Sequence, residues 1–503
     1  MDTNFYDVIV CGPELAGAVA AALLGRRGLR VLLVGHDGQR PTFEAGGIPL
    51  SRGPALIPSP DSPALARVLK ELSLVQLVRR RAPALVPGFQ VALPRHRFDV
   101  AASAEAFGHE LAREWPAERA LIEAAVARMT DVSDRVAPLL ATEMTLPADG
   151  FWERREVARF ESMLPRAGTD LLAPLDPQHP FRAVATAVAA LGAGLGPGDI
   201  GPVTLAHAFV EARRGLYRLE GGLGALYGLF LEKIETFSGE RREKVLPVEI
   251  VVNRGKAVGL RVRPRDETIG CHTLVWAGPT DGALALLGER PPRKARDSAQ
   301  ALRPVCYRYT LALLVKPEAL PEGMGPRVLF LTDPHRAPIE ENALAVTVGQ
   351  PQPREPDRVP VWVECLVPAP AIEAGPGHLG ALRGRVRERL GRLIPFFDKH
   401  LIIAASPHDG LPPEIPGAAG KPAPVPPQPM PPLYSVEQLR PFDASGIPHA
   451  ALGVKNLYLV GRENLPGLGI EGELVAAWGL ARLLSTAGPR RDLLRRQILV
   501  GEG

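Results

Sequence analysis

One stretch constrains this chain more than any other. Residues 7–34 read DVIVCGPELAGAVAAALLGRRGLRVLLV. Residues 8–10 are a short branched apolar run, as expected of a parallel strand buried on both faces. A tight turn around Gly12 leads into an Ala/Leu-rich helix over residues 16–26, and residues 31–34 repeat the strand pattern. Strand, helix and strand make a βαβ unit and place the chain in the α/β class. In dinucleotide-binding βαβ units the turn reads G-x-G-x-x-G, and its middle glycine lets a pyrophosphate approach the backbone at the helix N-terminus. Here it reads Gly12-Pro-Glu14-Leu-Ala-Gly17. The outer glycines, which serve the turn and the helix–strand packing, are present. A carboxylate stands in the middle.

The next position to test is the end of the second strand, where such units carry an acid that accepts hydrogen bonds from a ribose. Gly35 occupies it. Asp37 follows two residues later and would substitute only if the strand ran on to reach it. The glycine pair usual soon after this strand is missing, and Gly46-Gly47 comes late.

At 503 residues the chain has room for two or more domains or one large discontinuous one. A formal charge of +4 and the lack of a basic run interleaved with aromatics exclude nucleic acid as a partner. Cys11, Cys271, Cys306 and Cys365 are far apart and have no histidine at ligand spacing, so neither a metal site nor a disulfide framework is expected. The first strand follows Met1 too closely for a signal peptide, and no run is apolar for long enough to span a bilayer. A cytoplasmic location is the resulting expectation, and the Pro, Ala and Arg usage suggests a bacterial coding sequence.

Further along, residues 62–74 are amphipathic with Pro63 at a first helical turn. Residues 88–100 alternate as a strand pair, and residues 102–129 have helical spacing. Arg79-Arg80-Arg81 reads as a solvated charge cluster. Residues 161–201 suit helices of a core, or helices lining an apolar cavity. A glycine turn at Gly221-Gly222 opens a helix, followed by a hairpin through Val248 and residues 254–262, and by a buried strand over residues 273–276. Residues 411–432 are proline-dense and are expected to form an extended, partly mobile loop or lid. The last informative piece is VKNLYLVGRENLPGLGIEGELVAA, residues 454–477: a strand, a Gly/Pro turn with Gly461, Arg462 and Gly469, and a helix N-terminus.

Taken together, these pieces resemble the phytoene desaturase and carotenoid isomerase branch of the FAD-dependent amine oxidase superfamily, over nearly the whole chain. The motifs that carry the resemblance are Leu219-Glu-Gly221-Gly222-Leu-Gly224, the Val248 hairpin, Asn456-Leu-Tyr-Leu-Val-Gly461 and Pro466-Gly-Leu-Gly469-Ile-Glu-Gly472. The resemblance implies a discontinuous Rossmann-like FAD-binding domain (residues 1–95, 205–292 and 440–503). It also implies a second, mixed α+β substrate domain (residues 96–204 and 293–439) forming a hydrophobic tunnel. Family-equivalent cofactor positions are Gly12, Glu14, Gly17, Gly35, Val248, Gly461, Arg462 and Gly469. Chemistry in the family is hydride transfer at the flavin, so no catalytic acid, base or metal is expected from the protein.

Three of these positions depart from the family pattern: Glu14 for glycine, Gly35 for the ribose acid, and Arg462 for aspartate. A carboxylate against a desolvated diphosphate is unfavourable by several kcal/mol, and a lost charged hydrogen bond adds roughly 1.5–3 kcal/mol. Weak or absent FAD binding is therefore expected, with Arg462 either reaching a phosphate or pairing with Glu14 across an empty groove. Two functional readings follow. In the first, the chain is a pseudoenzyme that binds a hydrophobic small molecule or a protein partner. The Rab GDP-dissociation inhibitors, which resemble the same superfamily, bind prenylated partners in this way. In the second, it is an active FAD-dependent oxidoreductase on a polyene, isoprenoid or other lipid-like substrate. A basic amphipathic segment over residues 489–500 suggests either a last packed helix or peripheral contact with the inner membrane face.

Overall fold

A computed structural model describes residues 5–38, 41–142, 144–148, 150–352, 354–418, 420, 422–437 and 442–486. The basic segment over residues 489–500 lies outside the described residues.

The opening βαβ unit forms as its sequence dictates. Strand β1 (Phe5–Cys11) pairs in parallel with β2 (Val31–Val34), Val8 opposite Val31 and Cys11 opposite Val34, across helix α1 (Leu15–Arg26). Residues Ala16 to Gly25 of α1 are all buried. A helix this apolar on every side needs cover on both faces, and α1 lies against the first sheet with helices Gly222–Thr236 and Gly469–Thr486 packed on it. Among the described residues the first sheet has seven strands. Its order is Leu246–Asn253, Lys256–Arg263, Glu267–Trp276, β1, β2, Glu240–Arg242, with Leu457–Leu459 added in parallel to the upper half of Glu267–Trp276. Strands from the start, middle and end of the chain thus share one sheet.

The second sheet has eight strands, in the order Leu401–Ala405, Leu302–Val315, Val359–Pro368, Ala343–Val348, Arg327–Leu331, Phe89–Ala92, Arg97–Val100, with Pro432–Val436 also on Leu302–Val315. The hairpin Phe89–Ala92/Arg97–Val100 belongs wholly to this sheet. A boundary at residue 95 cuts through its turn, because a strand pair with few flanking glycines gives no sequence mark of which sheet it joins.

Helix Pro63–Glu71 starts where expected, with Ser62 Oγ accepting from the Leu65 amide at 3.4 Å. Helix Pro180–Gly192 serves both of its expected roles: Phe181 and Val184 are fully buried, whereas Val188 and Leu191 line a cavity. The proline-dense loop is pinned rather than free-standing. Within it the Val425 amide bonds the Leu411 carbonyl, the Gln428 amide bonds the Pro407 carbonyl, and the Pro431 carbonyl accepts from the Arg308 amide at 2.9 Å. Prolines have no amide to donate, but carbonyls in and beside this segment accept, and these bonds tie the loop to the second sheet. No helix among the described residues is long and apolar enough to cross a membrane.

Candidate functional site

The turn after β1 is held in place by close packing. Gly12 has φ +133°, and a Cβ there would collide with the Ala277 carbonyl; Gly17 sits against the Ala277 side chain. Both outer glycines therefore do what the motif requires of them. Glu14 is the N-cap of α1, is 7% exposed, and makes no side-chain cap bond to its own helix. Its Oε2 instead accepts from the Arg462 amide at 3.0 Å. The side chain lies flat on Gly461, where any Cβ would strike it. Glu14 thus bridges the gap between the first turn and the C-terminal element.

A second carboxylate completes this contact. Glu473, in the first turns of helix Gly469–Thr486, accepts from the Ala16 amide at the α1 N-terminus (3.3 Å) and from Arg462 Nε (3.1 Å). The expected pairing of Arg462 side chain with Glu14 is therefore corrected: the guanidinium pairs with Glu473, and Glu14 takes the backbone amide. Burial, then the nearby Glu473 charge, pushes the Glu14 carboxyl up to about 8 against the pull of Arg462. It holds its proton more tightly than an ordinary carboxyl does. Burial works against the Arg462 charge, but Glu473 and Glu14 raise it above its ordinary value.

The remaining cofactor-equivalent positions are Gly35, Val248 and Gly469. Gly35 follows β2, and a Cβ on it would sit 3.5 Å from the Gly12 amide nitrogen and 3.6 Å from Pro247. Val248 stands beside Pro247 at a bulge in the edge strand of the first sheet. Asp37 does not replace the missing acid: β2 ends at Val34, and Asp37 accepts from the Lys244 amide at 2.7 Å. Gly469 begins the last helix, with φ +55°, and a Cβ there would strike the Gly192 carbonyl. The glycines that serve the turns and their packing are in place, and the Ala16 amide at the α1 N-terminus is met by Glu473 of the chain itself. The residues present do not fit FAD in the extended pose.

A cavity of about 490 Å³ opens from this point between the two sheets. That is within the range of small-molecule sites. Much of its wall is apolar, including Leu15, Leu56, Ile57, Val188, Leu191, Leu223, Leu329, Leu433 and Leu468. Two polar groups interrupt it. In the first, His207 Nε2 lies 2.8 Å from Glu471 Oε2, and His207 Nδ1 lies 3.3 Å from Ser133 Oγ. Burial alone would lower His207, but Glu471 raises it, and burial together with Glu471 raises the neighbouring Glu211. In the second, Arg327 bonds Glu364 at 2.9 Å, Arg308 approaches Glu364 at 3.7 Å, and Arg52 bonds the Pro429 carbonyl. Sequence reading missed Glu473, Glu471, His207, Arg52 and Arg308. The one available signal was two carboxylates, Glu471 and Glu473, at the start of an otherwise apolar helix.

No family model matches the chain, and no curated protein matches it in sequence. Solved structures do match in fold. An oxidoreductase from Methanosarcina mazei is 15% identical with a TM-score of 0.62, covering 94% of this chain and 99% of its own. Cyclohexylamine oxidase from Brevibacterium oxydans is 13% identical with a TM-score of 0.55, covering 95% and 98%. Putrescine oxidase bound to putrescine is 14% identical with a TM-score of 0.58, covering 98% and 99%. The chain therefore has the mixed α/β, Rossmann-like fold of these oxidoreductase structures.

Proposed function

We propose that this chain uses a flavoprotein fold as a binding protein for a hydrophobic ligand and does not hold FAD in the extended pose. One observation carries the reading: the α1 N-terminus, the obvious anion site of the fold, is already occupied by Glu14, Glu473 and Arg462. The ligand site is the cavity between the sheets, which the closed turn leaves intact. A small molecule or a lipid-modified segment of a partner protein both suit its apolar wall. A cytoplasmic location, with or without contact at the inner membrane face, belongs to the same proposal, as does the phytoene desaturase-like ancestry.

The second reading is an FAD-dependent oxidoreductase acting on a polyene, isoprenoid or other lipid-like substrate with a rearranged cofactor site. The end-to-end likeness to oxidoreductase structures favours it over the first. FAD titration of wild type and of a triple variant, Glu14→Gly, Arg462→Asp and Glu473→Ala, separates the two. The binding-protein reading predicts no FAD binding by wild type and a measurable gain in the variant. Tight FAD binding by wild type, unchanged or weakened in the variant, establishes the second.

A further inference from the structure

The charges around the cavity largely close on one another. Four arginines and four carboxylates line it. Glu364 bonds Arg327 at 2.9 Å and faces Arg308 at 3.7 Å, Glu473 bonds Arg462 at 3.1 Å, and Glu211 bonds Arg214 at 2.7 Å. A charged ligand would disturb that balance beside an apolar wall, and burying an unmatched charge is unfavourable.

The fourth carboxylate is only half used. Glu471 stands in the first turn of helix Gly469–Thr486 and is 6% exposed. Its Oε2 meets His207 Nε2 at 2.8 Å, and the other nitrogen of that imidazole lies 3.3 Å from Ser133 Oγ. Burial works against the Glu471 charge, but His207 holds the carboxyl below its ordinary value, and the Ser62 hydroxyl adds to this pull without closing a hydrogen bond on Oε1. Among the described residues, Glu471 Oε1 is the one buried side-chain polar atom of the cavity wall that has no hydrogen-bond partner. Leaving a buried acceptor unmet is costly, and most of all for a charged one. A cation is a poor donor for it, because Glu471 raises the neighbouring His207 above its ordinary value despite burial, which sets positive charge beside the same oxygen atoms.

Building on the ligand-binding reading of the cavity, we propose that its ligand is an uncharged, lipid-like alcohol whose hydroxyl donates to Glu471 Oε1. The hydrocarbon body lies along Val188, Leu191 and Leu468, which line the same cavity.

Titration calorimetry of the full chain with decanol, decyl methyl ether, decylammonium and decanoate tests this. Decanol should bind roughly tenfold or more tightly than the ether, which keeps the oxygen but lacks its proton, the scale of a hydrogen bond to a charged group. That comparison is made on wild type and needs no variant to fold. Glu471→Gln should remove most of the decanol advantage, and Glu211→Gln should leave it in place. An advantage that survives Glu471→Gln overturns the assignment to Glu471. Ether bound as tightly as decanol overturns the hydroxyl contact, and decylammonium or decanoate bound more tightly than decanol overturns the uncharged head; each of these results keeps the cavity as a ligand site. No binding by any of the four overturns the ligand-binding reading as well.

Discussion

Glu14 is the residue on which most depends. Because its folded pKa, about 8, lies above the ordinary 4.5, the folded state holds its proton more tightly than the unfolded chain does. Its favourable contribution is complete below about 4.5 and is lost as pH rises through about 8. Wild-type stability should therefore fall across that window, with a slope from this residue of at most about 1.4 kcal/mol per pH unit. Glu14→Gln should flatten it, as urea unfolding at several pH values will show; an unchanged slope assigns the titration elsewhere. Gly461 gives a steric test of the same contact. Gly461→Ala should destabilise by about 1–3 kcal/mol through collision with the Glu14 side chain. Adding Glu14→Gly should recover most of that loss, a coupling that a double-mutant cycle measures directly.

Among the elements, two helices position the cavity wall. Helix Pro202–Arg214 carries His207 and Glu211, and is capped from a distant segment by Asp443, which accepts from the Val203 amide (2.9 Å), the Thr204 amide (2.8 Å) and the Thr204 hydroxyl (2.7 Å). Asp443→Ala should cost about 1–2 kcal/mol in thermal or urea unfolding, as loss of an N-cap does. Helix α1 packs its small residues on Ala277 of the first sheet, and Gly17→Ala meets that side chain directly. A loss of about 1–3 kcal/mol is expected there. The opening βαβ unit and the ending over residues 454–477 were legible in the sequence because each is a run of local signals: apolar strands, glycine turns and helix starts. The capping of a helix by Asp443 was not. It joins residues far apart along the chain, and an aspartate in a loop carries no mark of the amides it will meet.

The same limit shapes what the sequence revealed of the whole molecule. Departures from the family pattern at Glu14, Gly35 and Arg462 pointed to a changed cofactor groove. They did not reveal Glu473, which has no counterpart in the motif and reaches the α1 N-terminus only once the last helix is laid beside it. Arg52 and Arg308 were invisible for a related reason: one lies in a loop and one in a strand of the other sheet, and the fold alone brings them to one cavity. On the proposed reading, the molecule keeps the glycine framework of a dinucleotide fold, closes its anion site with its own side chains, and leaves an apolar chamber beside the closure. The absorbance spectrum of purified, untagged protein, taken before and after incubation with FAD, tests that account most directly. A colourless protein that stays free of flavin bands after desalting is the predicted result. Bound flavin present in stoichiometric amount, as purified or after incubation, contradicts it.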